Sequence, residues 1–324
     1  MTERGLRIDH QVNLAGLTTI GIGGPAERFL APQSTAQLEE AVELLRQGAE
    51  RYFILGNGSN LLVSDHGFAG TVLSLRLLRE LQFSLPSDHE MIISEQEVAG
   101  LEKVHLRVSA GLNNGRLLRK LVRLGVGGME FLTGIPGTIG GSVAMNAGGF
   151  FENLSRHNLE IHYYDRQLFP RYKRHSEISY GYRFSEFRGL LVVSVEVDLP
   201  VVGREAVEEK VRSLDDYRLS TQPQGVRTMG STFKNPPGMY AGELIEKVRL
   251  KGHRRGGAQF SEVHANFIVN LGGATCEDVL FLMCEAKRRV LDSFGVELEP
   301  EVIYLGPAEE AVVYLYGQDY PFAY

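Results

Sequence analysis

Residues 134–149 read Gly-Ile-Pro-Gly-Thr-Ile-Gly-Gly-Ser-Val-Ala-Met-Asn-Ala-Gly-Gly. The run holds six glycines, one proline and no charge in 16 positions. Glycine inside a helix or strand costs roughly 0.5–1 kcal/mol against alanine, so this run is a set of turns that something approaches closely. Backbone N–H groups on such turns can hold a phosphate or pyrophosphate. A second glycine turn, Gly56-Asn57-Gly58-Ser59-Asn60-Leu61-Leu62, directly follows the apolar run Tyr52-Phe53-Ile54-Leu55. Two such loops suit a large dinucleotide held along its length. The plainer alternative is a pair of structural turns.

Working outward, the chain reads as mixed α/β. Ser34-Thr35-Ala36-Gln37 resembles a capping box, and Leu38, Ala41, Val42 and Leu45 then mark one helical face. Residues 104–108 alternate with period two, as a half-buried strand does. A helix is expected next, with Leu117, Leu118, Leu121, Val122 and Leu124 inward. Val193, Val195, Val197 and Leu199 alternate with Ser194, Glu196 and Asp198, which predicts another strand. Residues 79–103 are acidic and poorly patterned and read as a surface excursion. Residues 203–210 read as a link into a polar helix. Thr275 with Asp278 can cap a helix carrying Val279, Leu280, Leu282, Met283, Ala286, Val290 and Leu291, closed by Gly295. Residues 302–305 read as a final strand. The tail from Pro307, with four tyrosines, has no reading beyond packing on the body or a neighbour.

A length of 324 residues predicts two or three domains. No segment approaches the roughly 20 apolar residues of a membrane helix, and Met1–Leu14 has no signal-peptide core. The expected compartment is the cytoplasm. Cys276 and Cys284, eight apart in a helical pattern, read as buried small apolar side chains. A net charge of −6 argues against nucleic acid and leaves room for an anionic small substrate. Cys/His metal spacings, a GxSxG elbow and a GxxxxGK[ST] phosphate loop are all missing. Gly21-Ile22-Gly23-Gly24-Pro25-Ala26 formally fits GxGxxA, but Pro25 intervenes and Arg28-Phe29-Leu30 looks extended, so a Rossmann turn is not expected.

Four constellations could carry chemistry. Arg183 sits among aromatics in Ser179-Tyr180-Gly181-Tyr182-Arg183-Phe184-Ser185, where it could be aimed at a carboxylate or merely cover aromatic area. Gly230-Ser231-Thr232-Phe233-Lys234-Asn235-Pro236 offers a hydroxyl, a cation and an amide, or a plain turn. Gln259, His264 and Asn266 lie beside the apolar run Phe267-Ile268-Val269; His264 by default is a satisfied structural histidine. Glu299-Pro300-Glu301 places two carboxylates just before a strand.

In one order, Thr18–Ala26, GNGSNLLV, GIPGTIGGSVAMNAGG, SYGYRFS, GSTFKNP, GGAQFSEVHANFIVN and LEPEV resemble the UDP-N-acetylenolpyruvoylglucosamine reductase family of peptidoglycan precursor synthesis. The resemblance runs from about Leu17 to Gly306. It is to the form without an extra tyrosine loop over the substrate. The 79–103 excursion and the tail depart from the family pattern.

The resemblance implies an α+β fold: a two-lobed FAD-binding domain of the vanillyl-alcohol-oxidase/PCMH type and a smaller C-terminal α+β substrate-binding domain. The implied division is 1–78 and 79–205 for the lobes, 206–306 for the substrate domain and 307–324 for the tail. It implies FAD and NADPH as cofactors, a UDP-sugar enolpyruvate as substrate, no nucleic-acid, membrane or metal partner, and a monomer or weak oligomer. The implied catalytic residues are Arg183 for the developing enolate charge, Ser231 as proton donor and Glu301 as an acid or electrostatic group. FAD would contact Leu55, Gly56, Asn57, Gly58, Ser59, Asn60, Leu61, Gly111, Gly134, Ile135, Pro136, Gly137, Thr138, Gly140, Gly141, Val143 and Arg183. Substrate would contact Lys234, Asn235, Gln259 and His264. Two rival readings are an oxygen-using FAD oxidase and a flavin-binding protein without catalysis.

Overall fold

The computed structural model describes residues 5–48, 51–84, 95–98, 100–149 and 152–311. They divide into two compact units, each around its own apolar core. The first comprises the residues up to Ile8, Leu30–Asn57 and Leu73–Arg218; the second comprises Asp9–Phe29, Gly58–Val72 and the chain from Leu219. Among the described residues, no helix is long and apolar enough to cross a membrane.

The first unit is built on a five-stranded antiparallel sheet. Its strands run Pro170–Arg174, Glu160–Tyr164, Leu191–Pro200, Lys103–Ser109 and Leu81–Ser84 across the sheet. Val195, Val197 and Leu199 are buried while Asp198 is exposed, as period two requires. The alternation fails at one point. Val193 is only half-buried and Ser194 is buried, because the register slips there: His162 pairs with Ser194 but Tyr163 with Val192. Val193 is thus the extra residue of a bulge, which re-aims its neighbours.

Helix Thr35–Gln47 buries Leu38, Ala41, Val42 and Leu45. Ser34 Oγ accepts the Gln37 N–H, but the Gln37 side chain accepts from Gln33 rather than Ser34, so the capping box is incomplete. Helix Asn114–Leu124 is capped by Asn113 and ends at Gly125 in the left-handed region at φ 68°. Leu117, Leu118, Leu121 and Leu124 face the core, whereas Val122 is half-buried.

Two expectations need correcting here. Leu81–Ser84, within the supposed 79–103 excursion, is an edge strand paired to Lys103–Ser109, and Glu95–Val98 forms one helical turn. Residues 85–94 and 99 lie outside the described residues. The link at 203–210 is shorter than read, because the polar helix Arg204–Thr221 already begins at Arg204.

The second unit holds a four-stranded antiparallel sheet in the order Arg227–Ser231, Phe267–Asn270, Ala258–Phe260, Arg254–Arg255. Ile303–Leu305 pairs in parallel with Leu61–Val63. Helix Cys276–Phe294 opens on a complete Thr275/Asp278 capping box and closes at Gly295, φ 65°. Its inward stripe takes Val279, Leu280, Leu282, Met283, Ala286 and Val290. Leu291 was expected inward but is 50% exposed, since Val290 already fills the inward position of that turn. Cys276 is buried, and burial pushes its thiol pKa up; Cys284 is only partly buried. Pro25–Leu30 is a strand, so the 21–26 glycines open no helix. A Cβ on Gly24 would stand 2.2 Å from the Asp65 carbonyl oxygen, which explains that glycine by close backbone packing. The tail beyond residue 311 lies outside the described residues.

Candidate active site

In the first unit, two glycine turns approach each other. A Cβ on Gly56 would lie 2.7 Å from Thr138 Oγ1, so only glycine allows the contact. Thr138 Oγ1 also accepts the Gly141 N–H and caps the short helix Ile139–Ala144. Arg76 fastens the first turn, with Nε donating to the Gly56 carbonyl at 2.9 Å and Nη2 to Asn57 at 2.7 Å. Its burial lowers its pKa, and the charge of Arg79 adds to that.

Asn113 and Asn114 fasten the second turn. Asn113 Nδ2 and the Asn114 backbone amide both donate to the Gly137 carbonyl, and Asn114 Nδ2 donates to Ile135 and to Ser142 Oγ. The glycine run does not present all its amides to a ligand. Ile139, Gly140 and Ser142 donate to Leu112, Ala110 and Thr138 carbonyls. Gly137 and Thr138, both buried, donate to no backbone carbonyl among the described residues. Those two buried amides are left without a backbone acceptor. Gly111 and Val143 are buried. A Cβ on Gly111 would meet the Leu75 carbonyl, and Val143 is fully buried. Leu55 is likewise a core residue.

Arg183 occupies the turn between the paired strands Tyr180–Gly181 and Phe184–Ser185, at φ 54°. A non-glycine residue in that region is uncommon and is held there by its surroundings. Ser185 Oγ donates to the Val143 carbonyl at 2.7 Å, and Asn146 Nδ2 donates to Gly181 at 3.0 Å. Arg183 Nη1 donates to the Gly148 carbonyl at 2.8 Å, and its guanidinium lies 5.5 Å from the Tyr182 ring centre. The arginine is therefore tied to the far end of the glycine run.

Arg218 joins it and was missed in the sequence. A Cβ on Gly134 would stand 2.5 Å from Arg218 Cδ, and one on Gly149 would stand 2.9 Å from Arg218 Nη2. Burial lowers the Arg218 pKa, the Arg183 charge lowers it further, and Asp215 opposes both. Two guanidiniums so placed favour an anion nearby. The only sequence signal for Arg218 was a cation late in a polar helix, which most surface helices share.

In the second unit, Ser231 ends the strand Arg227–Ser231, just after Gly230 at φ 81°. The next residues form a clasp with the 299–301 segment: Glu301 N–H donates to the Thr232 carbonyl and Lys234 N–H to Glu299. Asn60 Nδ2 donates to the Glu301 carbonyl at 3.0 Å, and Ile303 N–H donates to Asn60. A Cβ on Gly230 would lie 3.8 Å from the Ser59 carbonyl oxygen. The fold thus gathers Gly58, Ser59, Asn60, Leu61, Ser231 and Glu301 into adjoining backbone. Asn266 locks the clasp by exchanging side-chain hydrogen bonds with both the N–H and the carbonyl of Phe233.

The remaining substrate candidates have structural partners. Lys234 Nζ is ion-paired with the Glu299 carboxylate. Asn235 Oδ1 accepts the Ala241 N–H at the start of helix Ala241–Lys247. Gln259 Nε2 donates to the Gly252 carbonyl. His264 Nδ1 accepts the Asn266 N–H at 3.2 Å, its ring meets Phe267 edge-on at 5.0 Å, and burial lowers its pKa.

Comparison with known proteins matches this geometry to one family. An FAD-binding domain family covers residues 26–161, and the UDP-N-acetylenolpyruvoylglucosamine reductase C-terminal domain family covers 222–305. UDP-N-acetylenolpyruvoylglucosamine reductase 1 of Bacillus anthracis is 38% identical over 298 residues, spanning 90% of this chain and 93% of its own. The chain belongs to the UDP-N-acetylenolpyruvoylglucosamine reductase family. The family's reductase from Alkaliphilus oremlandii is 37% identical over 89% of this chain. The solved Thermus caldophilus reductase superposes with a TM-score of 0.73 at 32% identity, covering 93% of this chain and all of its own. An FAD-binding domain with a reductase C-terminal domain is the α+β architecture expected from the sequence.

The residues present fit FAD on structural grounds. Gly56 and Gly140 serve the protein's own packing, since a Cβ would stand 2.7 Å from Thr138 Oγ1 or from Ala110 Cβ, and the fit rests on the donors. The buried Gly137 and Thr138 amides and two half-buried arginines are donors suited to a pyrophosphate.

Proposed function

We propose that the chain is an NADPH-dependent, FAD-containing oxidoreductase that reduces UDP-N-acetylglucosamine enolpyruvate to UDP-N-acetylmuramate, a step of peptidoglycan precursor synthesis. The observation that carries this reading is the near-full-length match to reductases of that name. When bound, FAD supplies the two-electron chemistry that links NADPH oxidation to reduction of the enolpyruvyl double bond.

The chain's own residues would do the rest. The 134–141 turn, with Arg218, would hold the cofactor's anionic bridge, and Leu55, Gly56 and Asn57, then Gly58–Leu61, would line the other turn. Hydride added to the terminal alkene carbon leaves negative charge on the neighbouring carbon, delocalised into the carboxylate. Arg183 would meet that carboxylate through a charge-assisted, two-pronged contact. Ser231 would give its hydroxyl proton to the carbanionic carbon; serine is a weak acid, but the enolate is a far stronger base than water. Glu301, whose backbone is fixed against Thr232 and Asn60, would supply the second acidic group of the site. Lys234 would exchange its Glu299 partner for the UDP diphosphate. Asn235, Gln259 and His264 would position the uracil and sugar.

The test is product analysis under turnover. NADPH consumption should depend on the enolpyruvyl substrate, and the product should gain two hydrogens. Consumption that needs only oxygen would contradict the assignment.

A further inference from the structure

The first unit carries a surface cavity of about 430 Å³ between helix Asn114–Leu124 and helix Arg204–Thr221. Of its lining residues, only Gly134 belongs to the cofactor set. Leu118, Val122 and Val211 give it an apolar wall. Arg119, Arg123 and Arg204 line it as cations, Glu208 and Asp215 as anions. The charges do not cancel locally. Arg204 is held by Glu208 at 2.7 Å, and the Asp215 charge acts on Arg218. Arg119 and Arg123 have no carboxylate partner among the described residues. They stand one turn apart on the same helix face, where like charges repel unless an anion lies between them.

A second, independent feature points the same way. Thr133 lines the cavity, is 2% exposed, and its hydroxyl has no hydrogen-bond partner. An unmade hydrogen bond on a buried hydroxyl is costly, and such groups in folded proteins call for an explanation. Paired guanidiniums, a spare hydroxyl and an apolar wall together suit one kind of ligand: a phosphate monoester with an apolar or aromatic body. We propose that this cavity binds such a molecule, its phosphate on Arg119 and Arg123 and in reach of Thr133. Thr133 directly precedes Gly134, so an occupant would rest behind the start of the glycine run.

Titration calorimetry of the purified protein with phenyl phosphate, and separately with inorganic phosphate, tests this. Phenyl phosphate should bind saturably and more tightly than inorganic phosphate. The double variant Arg119→Gln, Arg123→Gln changes two exposed side chains and should keep its flavin content. It should bind phenyl phosphate more weakly by about tenfold or more, as expected for loss of charge-assisted contacts. Binding of the probes at the active site would persist in the variant, so the difference between the two proteins reports this cavity. Equal affinity in both proteins, or no saturable binding, would overturn the proposal. Inorganic phosphate binding as tightly as phenyl phosphate would overturn the apolar-body assignment.

Discussion

Ser231→Ala should leave flavin reduction by NADPH intact and slow turnover of the enolpyruvyl substrate by about 10²- to 10⁴-fold, the range for a lost general acid. The change is small on the protein side. Ser231 is a partly exposed residue at a strand end, and its backbone is fixed by the pairing with Phe267. The clasp around it depends on Thr232, Phe233 and Asn266 rather than on the Ser231 hydroxyl. The fold should therefore survive, and the two half-reactions should separate. Stopped-flow absorbance reads both: the NADPH-driven bleaching of flavin stays fast, and its reoxidation by the enolpyruvyl substrate becomes slow. Unchanged reoxidation would remove Ser231 from the proton-donor role.

Arg183→Gln should lower kcat by about 10²- to 10³-fold with a smaller rise in KM, since the charge it meets grows mainly toward the transition state. The geometry explains why this arginine should be hard to replace. Its turn is held at φ 54° by the Ser185 and Asn146 hydrogen bonds, and its Nη1 is already committed to Gly148. The head group is thus pre-oriented. Arg183→Lys keeps a positive charge but loses the planar fork, and should recover only part of the loss. Steady-state kinetics on the two variants, with bound flavin measured alongside, gives the answer. Equal kcat in wild type and Arg183→Gln would contradict the assignment. A loss confined to flavin content would recast Arg183 as a cofactor anchor.

What was legible in the sequence was local. The period-two strands at 103–109 and 191–200, the Thr275/Asp278 cap and the helix closed by Gly125 all follow from neighbours within a few residues. The glycine run stood out by composition, but it is not turns throughout: Ile139–Ala144, with Gly140 and Gly141 inside it, is a short helix capped by Thr138, and Gly148–Gly149 is a short strand. Its reason was not legible: Gly134 and Gly149 make room for Arg218, and Gly56 makes room for Thr138, across long stretches of chain. Arg76 and Arg218 were missed for the same cause, because a cation's role is set by backbone that meets it only in the fold. Leu81–Ser84 escaped notice as a four-residue edge strand without clear alternation. Val193 was misplaced because a bulge leaves no trace in hydrophobic pattern. At Asn235, Gln259 and His264, the bland structural reading describes the hydrogen bonds that the fold makes. The substrate contacts proposed for them rest on family resemblance.

The most direct measurement is an anaerobic half-reaction on the purified protein. Its bound flavin is reduced with NADPH, the enolpyruvyl form of UDP-N-acetylglucosamine is added, and flavin absorbance is followed. The account predicts prompt reoxidation without oxygen. Flavin that stays reduced until air enters would contradict it.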